Sequence, residues 1–274
     1  MEYSHFALLT DEGMIEKDMA KANVTQSSAL RVAGLSKSFG DFKAVTDVSF
    51  SLSKGERRAL IGPNGAGKTT LVNLLTGAFT PTDGTIWLGG KDVTSLPAHL
   101  RIQEGLARTF QITNLFNSLT VLENIALAGA ERKGEGWHMF RKNAFSTRAL
   151  EQAERVMDLI GLTRDAFIEV SDLPYGRQRL VELGIALALD PKILVLDEPA
   201  AGLPSEDHDI ILAALDALPK DLAVLMIEHD IELVFRFASH VTVLAEGKVV
   251  SDGSGEFVKN DPKVREVYLG ESTR

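Results

Sequence analysis

The sequence predicts an α/β fold: a core of parallel strands and helices, an antiparallel β subdomain, and an inserted helical subdomain. Three observations carry that expectation. A short apolar strand, Arg58-Ala59-Leu60-Ile61, leads through a glycine-rich loop into a helical pattern at Leu71-Val72-Asn73-Leu74-Leu75. Two compact apolar runs, 192–196 and 222–227, have the length of strands buried on both faces, with a helix from about Ser205 to Leu218 between them. The middle of the chain, from about Leu119 to Leu189, turns helical.

Taken in order, residues 1–29 are polar and acid-leaning (Asp11, Glu12, Glu16, Asp18) and read as a partly ordered extension. Residues 30–271 form one domain, in which 30–110 and 190–271 supply the core and β subdomain and 111–189 the helical subdomain. Leu30-Arg31-Val32-Ala33 and the alternating run from Ala44 to Leu52 read as strands, and Asp83 to Lys91 as a turn, a strand and a hairpin turn. Val156, Leu159 and Ile160 fall at helical spacing, and Gly161 stops that helix. Val241 to Leu244 and Val249-Val250, joined by Glu246-Gly247, form a final hairpin. Asp261-Pro262 opens a last short helix, with the aspartate as N-cap and proline in the first helical position.

Composition narrows the function. The chain has 274 residues, 45% of them apolar and 24% charged, which is ordinary for a globular protein. A formal net charge of −9 argues against a broad basic surface for nucleic acid. The absence of cysteine excludes disulfides and thiolate metal sites and fits a reducing cytosol. No apolar run approaches the ~20 residues that a membrane span requires, and the N-terminus lacks signal-peptide grammar. A soluble chain is expected, with any membrane role exercised through a partner.

The loop itself, Gly62-Pro63-Asn64-Gly65-Ala66-Gly67-Lys68-Thr69-Thr70, fits G-x-x-x-x-G-K-[ST]. Glycines let the backbone curl so that successive N–H groups face a phosphate chain. Lys68 supplies a mobile positive charge to the outer phosphates, and the Thr69 hydroxyl can ligate Mg²⁺. With a strand before it and a helix N-terminus after it, the loop is expected to bind a nucleoside triphosphate. Alone, it leaves kinases, GTPases, motor ATPases and transport ATPases open. Ile193-Leu194-Val195-Leu196-Asp197-Glu198-Pro199 adds a strand ending in two carboxylates, which puts Asp197 near the metal and Glu198 where it could polarise an attacking water.

The order of the motifs resembles that of ABC-transporter ATP-binding subunits. After the phosphate loop come Gln111 in Ala107-Arg108-Thr109-Phe110-Gln111, then Leu173-Pro174-Tyr175-Gly176-Arg177-Gln178-Arg179, then Asp197-Glu198-Pro199, then His229 in Met226-Ile227-Glu228-His229-Asp230. Phe39 matches the aromatic that stacks on adenine. Gly105 to Gln111, Leu119 to Asn124, Glu198 to Leu203, Ile227 to Asp230 and Tyr268-Leu269-Gly270 look like the branched-chain amino-acid uptake ATPases of the LivG type, over about residues 30–271.

The resemblance implies a P-loop NTPase (RecA-like) core, with ATP and Mg²⁺ as ligands. The phosphate loop, Gly62 to Thr70, and Phe39 would bind the nucleotide, and Thr69, Gln111 and Asp197 the metal. Lys68, Gln111, Glu198 as general base and His229 would act in hydrolysis, and Gly176 would complete the site of a partner subunit. It further implies a second ATPase subunit, as hetero- or homodimer, two membrane permeases and, indirectly, a periplasmic binding protein, with the chain cytoplasmic and peripheral on the inner face of the membrane. Branched-chain amino acids are the leading cargo; urea or short amides, lipopolysaccharide export, and a non-transport nucleotide-binding regulator are the alternatives.

Two departures stand out. The family's signature usually has a serine where this chain has Pro174, which offers neither hydroxyl nor N–H. Pro204-Ser205-Glu206 stands where a D-loop aspartate is expected. An insertion in which Trp137, Met139, Phe140 and Phe145 alternate with Arg132, Lys133, Arg141, Lys142 and Arg148 fits either a permease or membrane contact or a packed surface helix. His5, His99, His138, His208 and His240 show no metal-ligand spacing, and Asp207 and Asp209 read as a solvated helix face.

Overall fold

The computed structural model describes residues 28–109, 115–132, 145–204 and 208–269. Gln111, the first part of the aromatic-basic insertion, Ser205 to Asp207 and nearly all of the N-terminal extension lie outside them, as do the side chains of Arg132, Tyr268 and Leu269.

Two sheets form the frame. The antiparallel sheet has the order β2 (Phe42–Ser53), β1 (Ser28–Phe39), β4 (Asp83–Leu88), β5 (Lys91–Asp92). The larger sheet has six strands in the order β10 (Lys248–Gly253), β9 (His240–Ala245), β3 (Arg57–Ile61), β8 (Ala223–Ile227), β7 (Ile193–Asp197), β6 (Leu106–Arg108). Every pairing in it is parallel except β10 with β9. Because β3, β8 and β7 lie side by side and run the same way, Gly62, Glu228 and Glu198 all leave the sheet at one edge. That carboxyl edge of an open α/β sheet is where ligands bind.

β1 is longer than the expected 30–33. Gly34, with φ of 61°, suggests a strand end, but the ladder to β2 continues past it with register shifts between Val32 and Leu35 and again to Lys37. The chain absorbs the glycine as a bulge and carries the strand to Phe39. The Glu246-Gly247 turn has φ of 48° and 75°, the left-handed pair of a tight hairpin.

Helix α1 (Lys68–Thr76) begins inside the phosphate loop. Its far end is held by α2 (Ala98–Gln103), a helix too short for apolar periodicity to reveal. From α2, the fully buried Arg101 donates to the carbonyls of Leu74 (2.6 Å) and Leu75 (2.7 Å), and also to those of Leu96 and Thr94. The Leu74 and Leu75 carbonyls lie in the last turn of α1, where Leu74 O also accepts from Gly77 N (3.3 Å), and a buried cation suits the negative end of a helix. Burial lowers the Arg101 pKa, opposed only by Asp92.

The middle of the chain supplies α3 (Val121–Arg132), α4 (Thr147–Leu159) and α5 (Tyr175–Ala188). Thr120 and Glu123 form a reciprocal capping box at the start of α3, with Thr120 N donating to the Glu123 carboxylate (2.8 Å) and Glu123 N to the Thr120 hydroxyl (3.2 Å). Ser146 caps α4, which ends at Leu159 with Gly161 in the left-handed region beyond it. Then follow α6 (His208–Asp216), α7 (Ile231–Phe237), α8 (Gly255–Asn260) and α9 (Pro262–Leu269). Asp261 caps α9 by accepting from Lys263 N at 3.0 Å. One apolar core joins α3 to α6 with a face of the large sheet; another fills the space between the two sheets around α1.

Candidate nucleotide site

The phosphate loop is shaped by backbone that tolerates no side chain. Gly62 has φ of 152°, and a Cβ there would sit 2.1 Å from the Leu244 carbonyl oxygen. Gly67, with φ of 99°, would bring a Cβ within 2.5 Å of the Ala44 carbonyl oxygen. Only glycine permits these approaches. Outer struts complete the frame: Gly247 N donates to Ala66 O (3.0 Å) and Thr46 N to Gly247 O (2.8 Å). Lys68 Nζ donates to the carbonyls of Gly62 (2.5 Å) and Pro63 (2.9 Å), arching over its own loop. Asn64, Gly65 and Thr69 are exposed, Pro63, Gly67, Lys68 and Thr70 are half-buried, and Ala66 is buried.

Phe39 lies at the end of β1 and is 45% exposed, so it is not a core residue. Its ring meets Phe79 edge-on at 5.6 Å, and the Lys37 ammonium sits 5.2 Å from its centroid.

Asp197 ends β7 and is buried. Its carboxylate pairs with the Arg108 guanidinium, which also donates to Asn73 Oδ1 on α1 at 2.8 Å. Arg108 thus ties the second acidic motif to the phosphate-loop helix, a role the sequence reading did not assign to it. The metal donors expected at this place, the Thr69 hydroxyl and the Asp197 carboxylate, are hard oxygen ligands of the kind Mg²⁺ takes when it keeps waters and phosphate oxygens in its remaining positions. Among the described residues, no cluster of three or more His, Cys, Asp or Glu offers an all-protein metal cage. Gln111, the third expected donor, lies outside the described residues.

Glu198 is half-buried and left-handed, with φ of 50°. That conformation costs a non-glycine residue about 1–2 kcal/mol, and it persists here because Glu198 N donates to Ile227 O (2.9 Å) and Ala201 N to Glu198 O (3.0 Å). His229 follows β8, its side chain 66% exposed and its Nδ1 at 3.5 Å from the Glu228 carboxylate. Asp230, next in line, caps α7 through Glu232 N and Leu233 N.

Gly176 is buried in the first turn of α5, where a Cβ would meet Leu203 at 3.5 Å. Pro174 occupies the N-cap position without any side-chain hydrogen bond to the helix. Tyr175 donates its hydroxyl to Ala201 O (3.2 Å) and accepts from Arg179 Nη2 (2.5 Å), which also reaches Ala201 O (3.1 Å). Arg179 Nη1 pairs with Glu182 at 2.8 Å, both side chains nearly buried. Burial pushes the Glu182 carboxyl above its ordinary range, and Arg179 offsets only part of that.

The structure therefore brings the Gly62–Thr70 loop, Asp197, Glu198 and His229 to one sheet edge. Arg108 and Glu228 escaped notice because Asn73, Asp197 and Ala200 are distant from them in sequence; the Arg179–Glu182 pair has a spacing of three, common on any helix surface, and nothing in it signals burial. A buried acid closing the apolar run of β8 was the one signal that could have flagged Glu228.

Residues 45–201 match the family model described as ABC transporter, and residues 248–273 match a model described as branched-chain amino acid ATP-binding cassette transporter. The chain is 39% identical to the high-affinity branched-chain amino acid transport ATP-binding protein LivG of Salmonella typhimurium, over 89% of this chain and 98% of that one. It is 37% identical to BraF of Pseudomonas aeruginosa, a protein of the same description, with the same coverage. Among solved structures, the ADP conformation of an ATP-binding cassette of an ABC transporter superposes with a TM-score of 0.80 at 34% identity, covering 89% of this chain and 99% of the other.

Proposed function

The chain belongs to the ABC transporter family, and from that premise we propose that it is the ATP-hydrolysing subunit of an importer for branched-chain amino acids. The observation that carries this is the convergence of the phosphate loop, Asp197-Glu198 and His229 at the carboxyl ends of β3, β7 and β8. Cargo is inferred from the names of the relatives and from the match of the C-terminal segment to a branched-chain amino acid family model.

In this proposal ATP lies along the Gly62–Thr70 loop with its adenine against Phe39. The loop amides and Lys68 hold the β- and γ-phosphates. Thr69, Asp197 and Gln111 would hold Mg²⁺, which when bound neutralises charge on the phosphate oxygens. Glu198 accepts a proton from the attacking water while the bond to the bridging oxygen breaks, and His229 steadies the γ-phosphate. Catalysis is then positioning and charge stabilisation.

Two such subunits would close head to tail, Gly176 and the start of α5 completing the partner's site. Pro174 makes that contribution weak, so the ATP held by Lys68 is the one hydrolysed more readily when the partner brings a full signature. Among the described residues no helix is long and apolar enough to cross a membrane, which fits a peripheral subunit carried by two permeases and served by a periplasmic binding protein. Capture from membranes with this chain as bait tests the assembly. Recovery of branched-chain-type permeases is expected; recovery of an unrelated permease set would overturn the cargo.

A further inference from the structure

Glu228 closes β8 with its side chain only 1% exposed. Among the described residues no lysine or arginine pairs with it. Its carboxylate is held instead by backbone amides of two different loops. Oε1 accepts from Ala200 N (3.2 Å), and Oε2 accepts from His229 N (2.8 Å) and Asp230 N (3.3 Å). A buried charge carries a desolvation cost that an apolar side chain of similar size would avoid. Packing alone therefore gives no reason for an acid here, whereas the geometry of its acceptors does.

The two loops joined are those that carry Glu198 and His229. Next to the carboxylate bridge, Glu198 N donates to Ile227 O, so the left-handed bend at Glu198 is fastened to β8 on both sides of the Glu228 side chain. Strained backbone of this kind persists only where its surroundings over-determine it. We propose that Glu228 is a positioning residue for hydrolysis, its one carboxylate setting the loop of Glu198 and the loop of His229 in a fixed relation. A glutamine cannot replace it, because an amide that keeps its oxygen on His229 N turns an NH₂ donor toward the Ala200 donor.

This assignment rests on the proposed roles of Glu198 and His229, and the test separates the two. The full chain in its transporter complex is compared as wild type, Glu228→Gln, Glu228→Ala and Glu198→Gln. The readouts are turnover and KM with Mg-ATP, affinity for a fluorescent ATP analogue, and amide hydrogen exchange. Glu228→Gln is expected to lower kcat about 10- to 100-fold, the scale of a slightly displaced catalytic group, with KM and analogue affinity kept. Exchange should rise together in segments 198–204 and 226–232 and stay unchanged in 62–70. Unaltered kcat, a rise confined to one segment, or KM and affinity worsening in step with kcat would each overturn the proposal. If Glu228→Ala does not fold, Glu228→Gln decides. If Glu198→Gln also leaves turnover intact, the catalytic assignment itself fails, and the exchange data still show whether Glu228 bridges the loops.

Discussion

The phosphate loop and the start of α5 are both helix N-termini suited to anions, and they are built in opposite ways. The loop runs into α1 through Gly62, Gly65 and Gly67, all left-handed, with a lysine at hand and the far end of the helix fastened by Arg101. The start of α5 has Pro174 at its N-cap, no side-chain cap, and a tyrosine whose hydroxyl is spent on Ala201 within the same chain. One terminus is built around a bend that only glycine allows. The other turns its polar groups inward, toward Arg179 and the segment after β7. The difference teaches that a helix N-terminus is only a starting point; what surrounds the first turn decides whether an anion is held.

The contrast can be attacked from either side. Arg179→Met should have the largest effect on stability, about 3–5 kcal/mol, because it strands a buried Glu182 carboxylate. Urea unfolding checks it, and Arg179→Met combined with Glu182→Leu should recover most of the loss. The pH dependence has a definite sign. Burial raises the folded-state pKa of Glu182 above its ordinary value of 4.5, and removing Arg179 takes away the opposing pull. The folded form then binds a proton more tightly than the unfolded one, so stability is full below the unfolded pKa and lost as pH rises through the folded value. The defect of Arg179→Met should shrink toward acid; a defect independent of pH would rule out Glu182 as its cause.

On the other side of the comparison, Lys68→Ala should weaken binding of a fluorescent ATP analogue about 10- to 100-fold, the worth of one or two charge-assisted hydrogen bonds. Thermal unfolding without nucleotide should move far less than nucleotide affinity, since Lys68 is half-buried and donates to the Gly62 and Pro63 carbonyls of its own loop. The smallest effect belongs to Pro174→Ser. A serine N-cap contributes about 1 kcal/mol, roughly cancelled by the lost rigidity of proline, so stability should change little. If the proposed head-to-tail pairing holds, turnover of the complex should nevertheless rise a few-fold, since a hydroxyl would then face the partner's nucleotide. Unchanged turnover would show that Pro174 is not what weakens this end.

How much of this was legible beforehand follows from distance along the chain. The phosphate loop was readable because glycine, lysine and threonine do their work within nine consecutive residues, and Asp197-Glu198 because an apolar strand points at them. The helix ends at Gly161 and Asp261 were readable for the same local reason, whereas the caps at Thr120, Ser146 and Asp230 were not expected. Arg108, by contrast, joins Asn73 to Asp197 across separations of 35 and 89 residues, and Glu228 reaches back 28 residues to Ala200. Nothing in a one-dimensional pattern pairs such residues; the order β3-β8-β7-β6 brings them together. β1 runs beyond the expected 30–33 because a bulge lets the ladder pass through Gly34, an irregularity that strand periodicity does not reveal.

The proposed asymmetry between the two helix ends is tested most directly by disabling one proposed general base at a time. The transporter complex is prepared with Glu198→Gln in this chain, or with the equivalent substitution in its partner ATPase, and steady-state hydrolysis of Mg-ATP is measured for each. Loss of a general base costs about 10²- to 10⁴-fold at its own site, so Glu198→Gln should remove nearly all turnover, while the partner's substitution leaves most of it. Equal loss from the two substitutions would contradict the account.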